Sequence, residues 1–600
     1  MLWVNLSTEF DTIGQYRMRI PKRNLERFVR ELVDECLVSQ SDRRMRYEYF
    51  KNYFMFGADD PTESAIYNKT FAYLDDLESL LYSPISLRFK VSDPDLPNIL
   101  EEAKGRAVAN YLRSSARSSN SDTRISEAVL WSLIKGKTFL KAGYKRKSFC
   151  TDLVQPDDMG VLRENHDALD EDMEAFVHTM WITTYQFERM IWNHPDKELL
   201  RKRAKRYMAQ KDRPAAGMTV TTGGMQPFQP AGQGNSSSRG MVDWMSSADP
   251  MFSTRMEGSV MRLDELWVWD DERADWATFQ LIGDDMLIMG KYTRFNALAW
   301  NPATLRPHED LVGRHPYVEF SPNRIDQYFW GRSEIVNVAM LQEAINSRIN
   351  GTNKLLRLQE DPPKKFVGST GVNQQALARF NKPGGYWVDN NPQAKIEVEA
   401  PQVPQDLWGS LHEFERMFDE MGGLPPIAKG RGEAGVRGQG HAETLVRMFS
   451  PRFKDRALLI ERDIASLGTL MMELGKAHVD QKLLAWVPQD QAGLEGVQNN
   501  PLIIPPAPGL VCVPFQLADL DDSMKLSVDS HSSSPAFAAD AKNLIFDLFK
   551  IRAASTEDVV EHTDAPDPEA LIAGIMRREI AAAKAHEAEA QAKAQGKAKK

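Results

Sequence analysis

The chain has 600 residues, 42% hydrophobic and 26% charged, enough for about four domains and too ordinary for a wholly disordered or fibrous protein. Its 74 Lys and Arg against 84 Asp and Glu give a net charge of −10, which argues against tight, general binding to nucleic-acid phosphates. Cys36, Cys150 and Cys512 are odd in number and far apart, which excludes a disulfide framework and fits a reducing compartment. No run of 18 or more apolar residues exists to span a membrane, and the opening MLWVNLSTEF lacks the basic-then-apolar start of a secretion signal, so a soluble intracellular product is expected.

Residues 22–135 are expected to be helical. Leu25, Phe28, Val29, Leu32, Val33 and Cys36 recur at helical spacing, and Ile66, Leu74, Leu77 and Leu81 mark a second helix stopped at Ser83-Pro84. Two more helices are expected over 97–118 and 122–135. The pattern changes at Gly136: GKTFLKAGYK and Ala175 to Ile182 read as strands. Residues 209–260 are aperiodic and rich in Gly, Ser, Pro, Gln and Thr, the composition of a flexible insertion; their methionines offer a soft partner surface as the other reading. A β-meander follows over 261–290, with Trp267 to Trp269 in its first strand and a turn from Asp270 to Asp275. So much aromatic area is expected to pack against another layer.

Ser333 can cap a helix carrying Ile335, Val338, Leu341, Ile345, Ile349 and Leu356, while Asn346, Asn350, Asn353 and Arg357 share a different face at four-three-four spacing. Asp361-Pro362-Pro363 ends that helix. About forty residues without helical period follow, including Lys364, Lys365 and the turn Lys382 to Gly385. Asp406 starts a short helix with Leu407, Leu411, Phe414, Phe418 and Met421 on one face, ended by Gly422-Gly423. The run KGRGEAGVRGQG, 429–440, holds five glycines with Lys429, Arg431, Glu433 and Arg437. A long helix then extends to about 479, with Ser450-Pro451 as a kink or a fresh start. Its Phe453, Ala457, Ile460, Ile464, Leu467, Met471 and Leu474 keep a strict four-three alternation. Burying them is worth about 10 kcal/mol gross, so the stripe is expected to face a partner helix. Residues 481–510 read as linker, Leu510 to Phe515 as a strand and Pro535 to Ile551 as a helix. The last thirty residues carry seven Lys and Arg against three Glu in an Ala-rich, fraying helix.

Chemistry is sparse. Gly430 to Gly435 matches GxGxxG, but a helix precedes it where a dinucleotide site needs a strand. No GxxxxGK[ST], HExxH or GxSxG occurs, and the 11 His and three Cys have no metal-ligand spacing. No cofactor, metal or catalytic residue is expected, and the chain reads as a non-enzyme.

The order helix, Pro-rich insert, helix, Gly-rich charged loop and long helix resembles the core of portal (head-to-tail connector) proteins of tailed bacteriophages, podovirus-like. The carrying segments are GRSEIVNVAMLQEAINSRINGTNKLLRL, DPPKKF to KPGGYW, and DLWGSLHEFERMFDEMGGLPPIAKGRGEAGVRGQGHAETLVRMFSPRFKDRALLIERDI. The resemblance implies a mainly α fold with β insertions (α+β), divided into wing, stem, clip and crown, closing as a ring of twelve copies around a channel. It implies a wing over 1–330 (mostly helical to 135, β-rich over 136–185 and 261–330), stem helices over 331–359 and 405–421, and a clip over 360–404. A tunnel loop over 422–442, a long wing-to-crown helix over 443–480, and a crown with a basic tail over 481–600 complete it. Lys429, Arg431, Glu433 and Arg437 would then be tunnel-loop residues facing DNA, Asn346, Asn350, Asn353 and Arg357 a stem face on the channel, and Lys364 and Lys365 clip contacts. The implied partners are further copies of the chain, double-stranded DNA held weakly and without sequence preference, the terminase large subunit that hydrolyses ATP, head-tail adaptor and tail proteins, and major capsid and scaffolding proteins. The implied place is the capsid's portal vertex, after assembly in the host cytoplasm, with no membrane contact. Two other readings are another structural head-tail adaptor or tail protein, and a nucleotide-binding enzyme using the loop 430–440.

Overall fold

A computed structural model describes residues 25–57, 67–82, 89–92, 99–145, 148–192, 197–211, 260–270, 275–282, 286–292, 314–360, 362, 364–367, 391–393, 395–398, 406–423, 451–488, 510–520, 524–528, 545–551, 559–560, 571 and 574–575. The chain divides into two compact units. The first comprises Met1–Phe50, Asp75–Glu334 and Thr444–Lys600, and the second Lys51–Leu74 and Ile335–Glu443.

Through residue 320 the chain alternates between helices and antiparallel strands, residues 51–74 of its second and third helices being assigned to the second unit. Helices α1 (Leu25–Leu37) and α2 (Gln40–Phe56) open the described chain, and α3 (Lys69–Leu81) precedes β1 (Phe89–Ser92). Then come α4 (Ile99–Ser118), α5 (Ser121–Lys135), β2 (Thr138–Lys145), β3 (Ser148–Val154), β4 (Met159–Val161) and β5 (Ala175–Thr183). Helices α6 (Thr184–Met190) and α7 (Lys197–Lys211) follow, then β6 (Val260–Asp270), β7 (Asp275–Ile282), β8 (Met286–Tyr292) and β9 (Tyr317–Phe320). The expected strands and meander are present, and Asp270 pairs with Asp275 across the anticipated turn. The insertion expected at 209–260 lies almost wholly outside the described residues.

Strands β4-β5-β6-β7-β8 form a five-stranded antiparallel sheet and β3-β2-β9 a three-stranded one. Because side chains alternate along a strand, the larger sheet has two different faces. Val177, Leu266, Val268, Ala277, Phe279 and Leu281 pack against Val29, Leu32, Val33 and Cys36 of α1. Phe176, Trp267 and Trp276 join Phe139, Tyr317, Phe329 and Trp330 in an aromatic core, where Trp267 is fully buried. The tryptophans are therefore packing residues, as their area suggested.

Charges buried between the sheets are paired, which is what makes their burial tolerable. Glu265, with none of its surface exposed, accepts from Lys141 Nζ at 2.9 Å, Trp267 Nε1 at 2.9 Å and the Tyr317 hydroxyl at 3.2 Å. Lys137 pairs with Glu319 at 2.7 Å. Arg43, buried on α2, donates to the carbonyls of Pro156 and Met159 and lies 3.6 Å over the Trp330 ring.

The seven-residue stripe of the long helix, described over Pro451–His478, is buried throughout. It packs mainly against β2, β9 and β14 (Lys525–Val528) of its own unit, so the expected partner helix is largely a set of strands. A four-three stripe reports the face a helix buries, not the kind of element that covers it. A second correction concerns 481–510: LLAWVP at 483–488 is strand β12, paired antiparallel with β13 (Leu510–Phe515). Its apolar run is only six residues long and ends in Pro, which disguised it as linker.

Candidate functional site

In the second unit, helix α8 (Ile335–Glu360) leads into β10 (Lys364–Val367), which pairs antiparallel with β11 (Lys395–Val398), and α9 (Asp406–Gly422) returns to pack along α8. Proline disrupts a helix, and Pro362 lies two residues beyond Glu360, the last residue of α8. Helix α9 ends on Gly423, whose φ of +73° suits the left-handed stop that glycine provides at low cost. The Tyr73 hydroxyl donates to the Gly422 carbonyl at 3.0 Å, satisfying one acceptor that a helix end leaves open.

Residues 51–74, expected in the wing, belong to this unit. Asn68 and Gln342 together cap α3: Gln342 Oε1 accepts from the Lys69 and Thr70 amides at 3.1 Å, and Asn68 Oδ1 accepts from the Phe71 amide at 2.9 Å. Gln342 Nε2 donates to the Tyr67 carbonyl at 2.7 Å and to Asn346 Oδ1 at 3.1 Å. Tyr53, fully buried, donates its hydroxyl to Glu343. At the start of α3, Lys69 Nζ reaches Asp419 at 3.1 Å and sits 5.1 Å from the ring of Phe418, which Tyr73, one turn further along, meets edge-on at 5.9 Å.

This network redistributes the expected channel face. Asn346 is buried and held at both ends of its carboxamide, since it also accepts from the Tyr67 amide and donates to the Gly57 carbonyl at 2.9 Å. Asn350 is buried too, with no hydrogen-bond partner for its Oδ1 among the described residues. Asn353 and Arg357 are exposed. The four residues therefore do not form one accessible face, because the N-terminal two are buried, Asn346 against polar backbone of Gly57 and Tyr67. Lys364 and Lys365 lie on β10 opposite Val398 and Glu397. Lys429, Arg431, Glu433 and Arg437 lie outside the described residues. Gln342 was missed, although its position four residues before Asn346 on the same polar stripe was a signal.

The exposed surface of the hairpin is unusual for its apolar content. Val336, Met340, Leu356, Leu358, Trp408, Met417 and Met421 are all exposed, Met340 at 83% and Trp408 at 54%. Charge is split between the helices. Helix α9 has five acidic residues against Arg416, and α8 has Arg348, Lys354 and Arg357 against Glu343 and Glu360. Arg416 spends its charge on Glu413 and Glu420 of its own helix, and its hydrogen bond and charge hold the Glu413 carboxyl below the usual range.

Among the described residues, His166, Asp170 and Asp172 are the one group with metal-ligand proximity, and His166 instead bonds Asp170. No described helix is long and apolar enough to cross a membrane.

No family model matches the chain, and no curated protein does. Among solved structures, the chain is similar to one described as the neck of an empty GTA particle computed with C6 symmetry. The identity is 10%, covering 87% of this chain and 94% of that one, with a TM-score of 0.37.

Proposed function

We propose that this chain is the subunit of a portal: a ring of identical copies that passes double-stranded DNA at one vertex of a phage-like capsid and carries no catalytic activity. The observation supporting this reading best is the antiparallel hairpin of α8 and α9. It ends in a two-stranded antiparallel ribbon and exposes Val336, Met340, Leu358, Trp408 and Met421 on its flanks. Exposed apolar area on this scale marks an interaction surface. The opposed charge of its two helices suits a head-to-tail contact, in which α8 of one copy meets α9 of the next.

On this reading the Gly-rich run 429–440 follows the hairpin and hangs towards the DNA. A wall that DNA slides along must neutralise few phosphates, since each contact adds to binding and slows movement. Sparse Lys429, Arg431 and Arg437 on an acidic chain fit that demand, and a ring multiplies even one cation per copy into a belt. Lys364 and Lys365, on the clip, remain the proposed contacts for the packaging motor and tail adaptor.

The interface part is tested by sedimentation of the purified protein. Met340→Asp together with Leu358→Asp is expected to shift large assemblies to monomers while the melting temperature stays within a few degrees of the parent. Undiminished assembly by this variant contradicts the proposed contact.

A further inference from the structure

Seven of the fifteen residues of α7 are Lys or Arg and one is acidic, on a chain whose net charge is −10. Leu200 and Ala204 anchor α7 in a small core with Phe187 and Ile191 of the α6 segment and with Met261, Leu263 and Ile282 of the sheet. Two cations are used internally: Arg201 is held by Glu188 and Glu198, and Arg203 lies 3.6 Å from Glu26. Lys202, Lys205 and Arg206 are exposed on the side opposite the buried residues, and none has an ion pair among the described residues. At 1.5 Å of rise per residue, Lys202 and Arg206 are about 6 Å apart along the axis, close to the spacing of successive phosphates.

The neighbouring surface adds exposed donors of the type that contacts phosphate. Tyr185 is 78% exposed and Trp192 65%, and Lys197 Nζ lies 4.0 Å over the Trp192 ring. Glu188 lies between them in sequence and bonds Arg201, which brings the α6 face beside the α7 face. The segment 212–259 that follows has four acidic and three basic residues, so it brings little countercharge. Lysines are depleted at protein–protein interfaces, whereas lysine, arginine and tyrosine are the usual donors to a phosphate backbone.

We infer that the exposed face of α6 and α7 binds the phosphate backbone of duplex DNA, through residues other than those of the 422–442 segment. The inference does not depend on ring formation, because the face is complete within one chain. It gives the protein a contact of a different kind from the weak sliding wall: a cluster of cations on one rigid helix, which holds DNA and does so in a salt-dependent way.

The test uses the full chain, a fluorescent 30-base-pair duplex and anisotropy between 50 and 200 mM NaCl. Removing three phosphate contacts lowers the salt exponent by about 2.7. The parent is therefore expected to lose about 40-fold more affinity across that range than Lys202→Gln/Lys205→Gln/Arg206→Gln. Charge-preserving Lys202→Arg/Lys205→Arg is expected to bind as the parent does, which separates charge from folding. The inference is overturned if the α7 glutamine variant keeps the parent's affinity and salt slope. It is equally overturned if polyglutamate or phosphatidylserine vesicles bind this face as tightly as the duplex does.

Discussion

Replacing Gln342 by leucine removes one carboxamide and keeps nearly the same volume, so it isolates the polar role of the residue. The side chain is fully buried and makes five hydrogen bonds, three received by Oε1 and two given by Nε2. The Thr70 hydroxyl can turn to another partner, and the Lys69 amide also donates to the Tyr67 carbonyl at 2.9 Å, so the Thr70 amide at the start of α3 is the one left open. A stranded amide costs about 1–3 kcal/mol, and losing a helix cap costs about 1 kcal/mol. Leucine recovers part of this through apolar contact, so a net loss of about 2 kcal/mol is expected, roughly thirtyfold in the opening equilibrium of this region. Hydrogen exchange followed by mass spectrometry on peptides covering 67–81 reads that quantity directly. Residues 69–71 should exchange about thirtyfold faster in Gln342→Leu. Since Asn346 shares the network, Asn346→Ala added to Gln342→Leu should cost less than the sum of the two singles. Parent-like exchange at 69–71, or strict additivity, would refute the cap as drawn.

Burial pushes the Asp463 carboxyl up to about 7, against the opposing pull of Arg324 and of the Ser321 amide, with Arg462 also close and Glu319 adding to the rise. A raised folded-state value means stability that is complete below the ordinary 3.8 and is lost as pH climbs through about 7. The melting temperature of Asp463→Asn relative to the parent should therefore rise between pH 5 and pH 8; a flat difference contradicts the assignment. Arg43→Met removes the donors to the Pro156 and Met159 carbonyls and the stacking on Trp330, and should destabilise the protein by about 3 kcal/mol in denaturant unfolding; a change under 1 kcal/mol would show the buried guanidinium is dispensable. Deleting 428–438 should leave assembly intact but impair DNA packaging or retention in a particle-assembly assay, and normal packaging would count against a tunnel role. Removing 581–600 should change the melting temperature by less than a few degrees, whereas a larger loss would reveal a docked tail.

Periodicity made much of the helical skeleton and the meander readable. The stripe from Phe453 to Leu474 is buried along its whole length, and Gly422-Gly423 stops α9 where the pattern ends. What stayed hidden was long-range. Nothing local announces that β1 pairs with β14, more than 430 residues later in the chain. Likewise, no local pattern shows that 51–74 belongs with α8 and α9, because that association rests on Gln342 and Asn346 satisfying backbone groups of another segment. The Asn stripe shows the same limit from the other side. Spacing placed Asn346, Asn350, Asn353 and Arg357 on one helical face, but burial splits that face between interior and solvent. The basic face of α7 was legible in KELLRKRAKR and was masked by the acidic average of the whole chain.

The central claim is that many copies close into a ring around an opening wide enough for a double helix. Cryo-electron microscopy of the purified full-length protein tests it most directly. Closed annular particles with a continuous central hole, lined in part by 422–442, are the result the account predicts. Monomers under every condition, or compact assemblies without a hole, would contradict it.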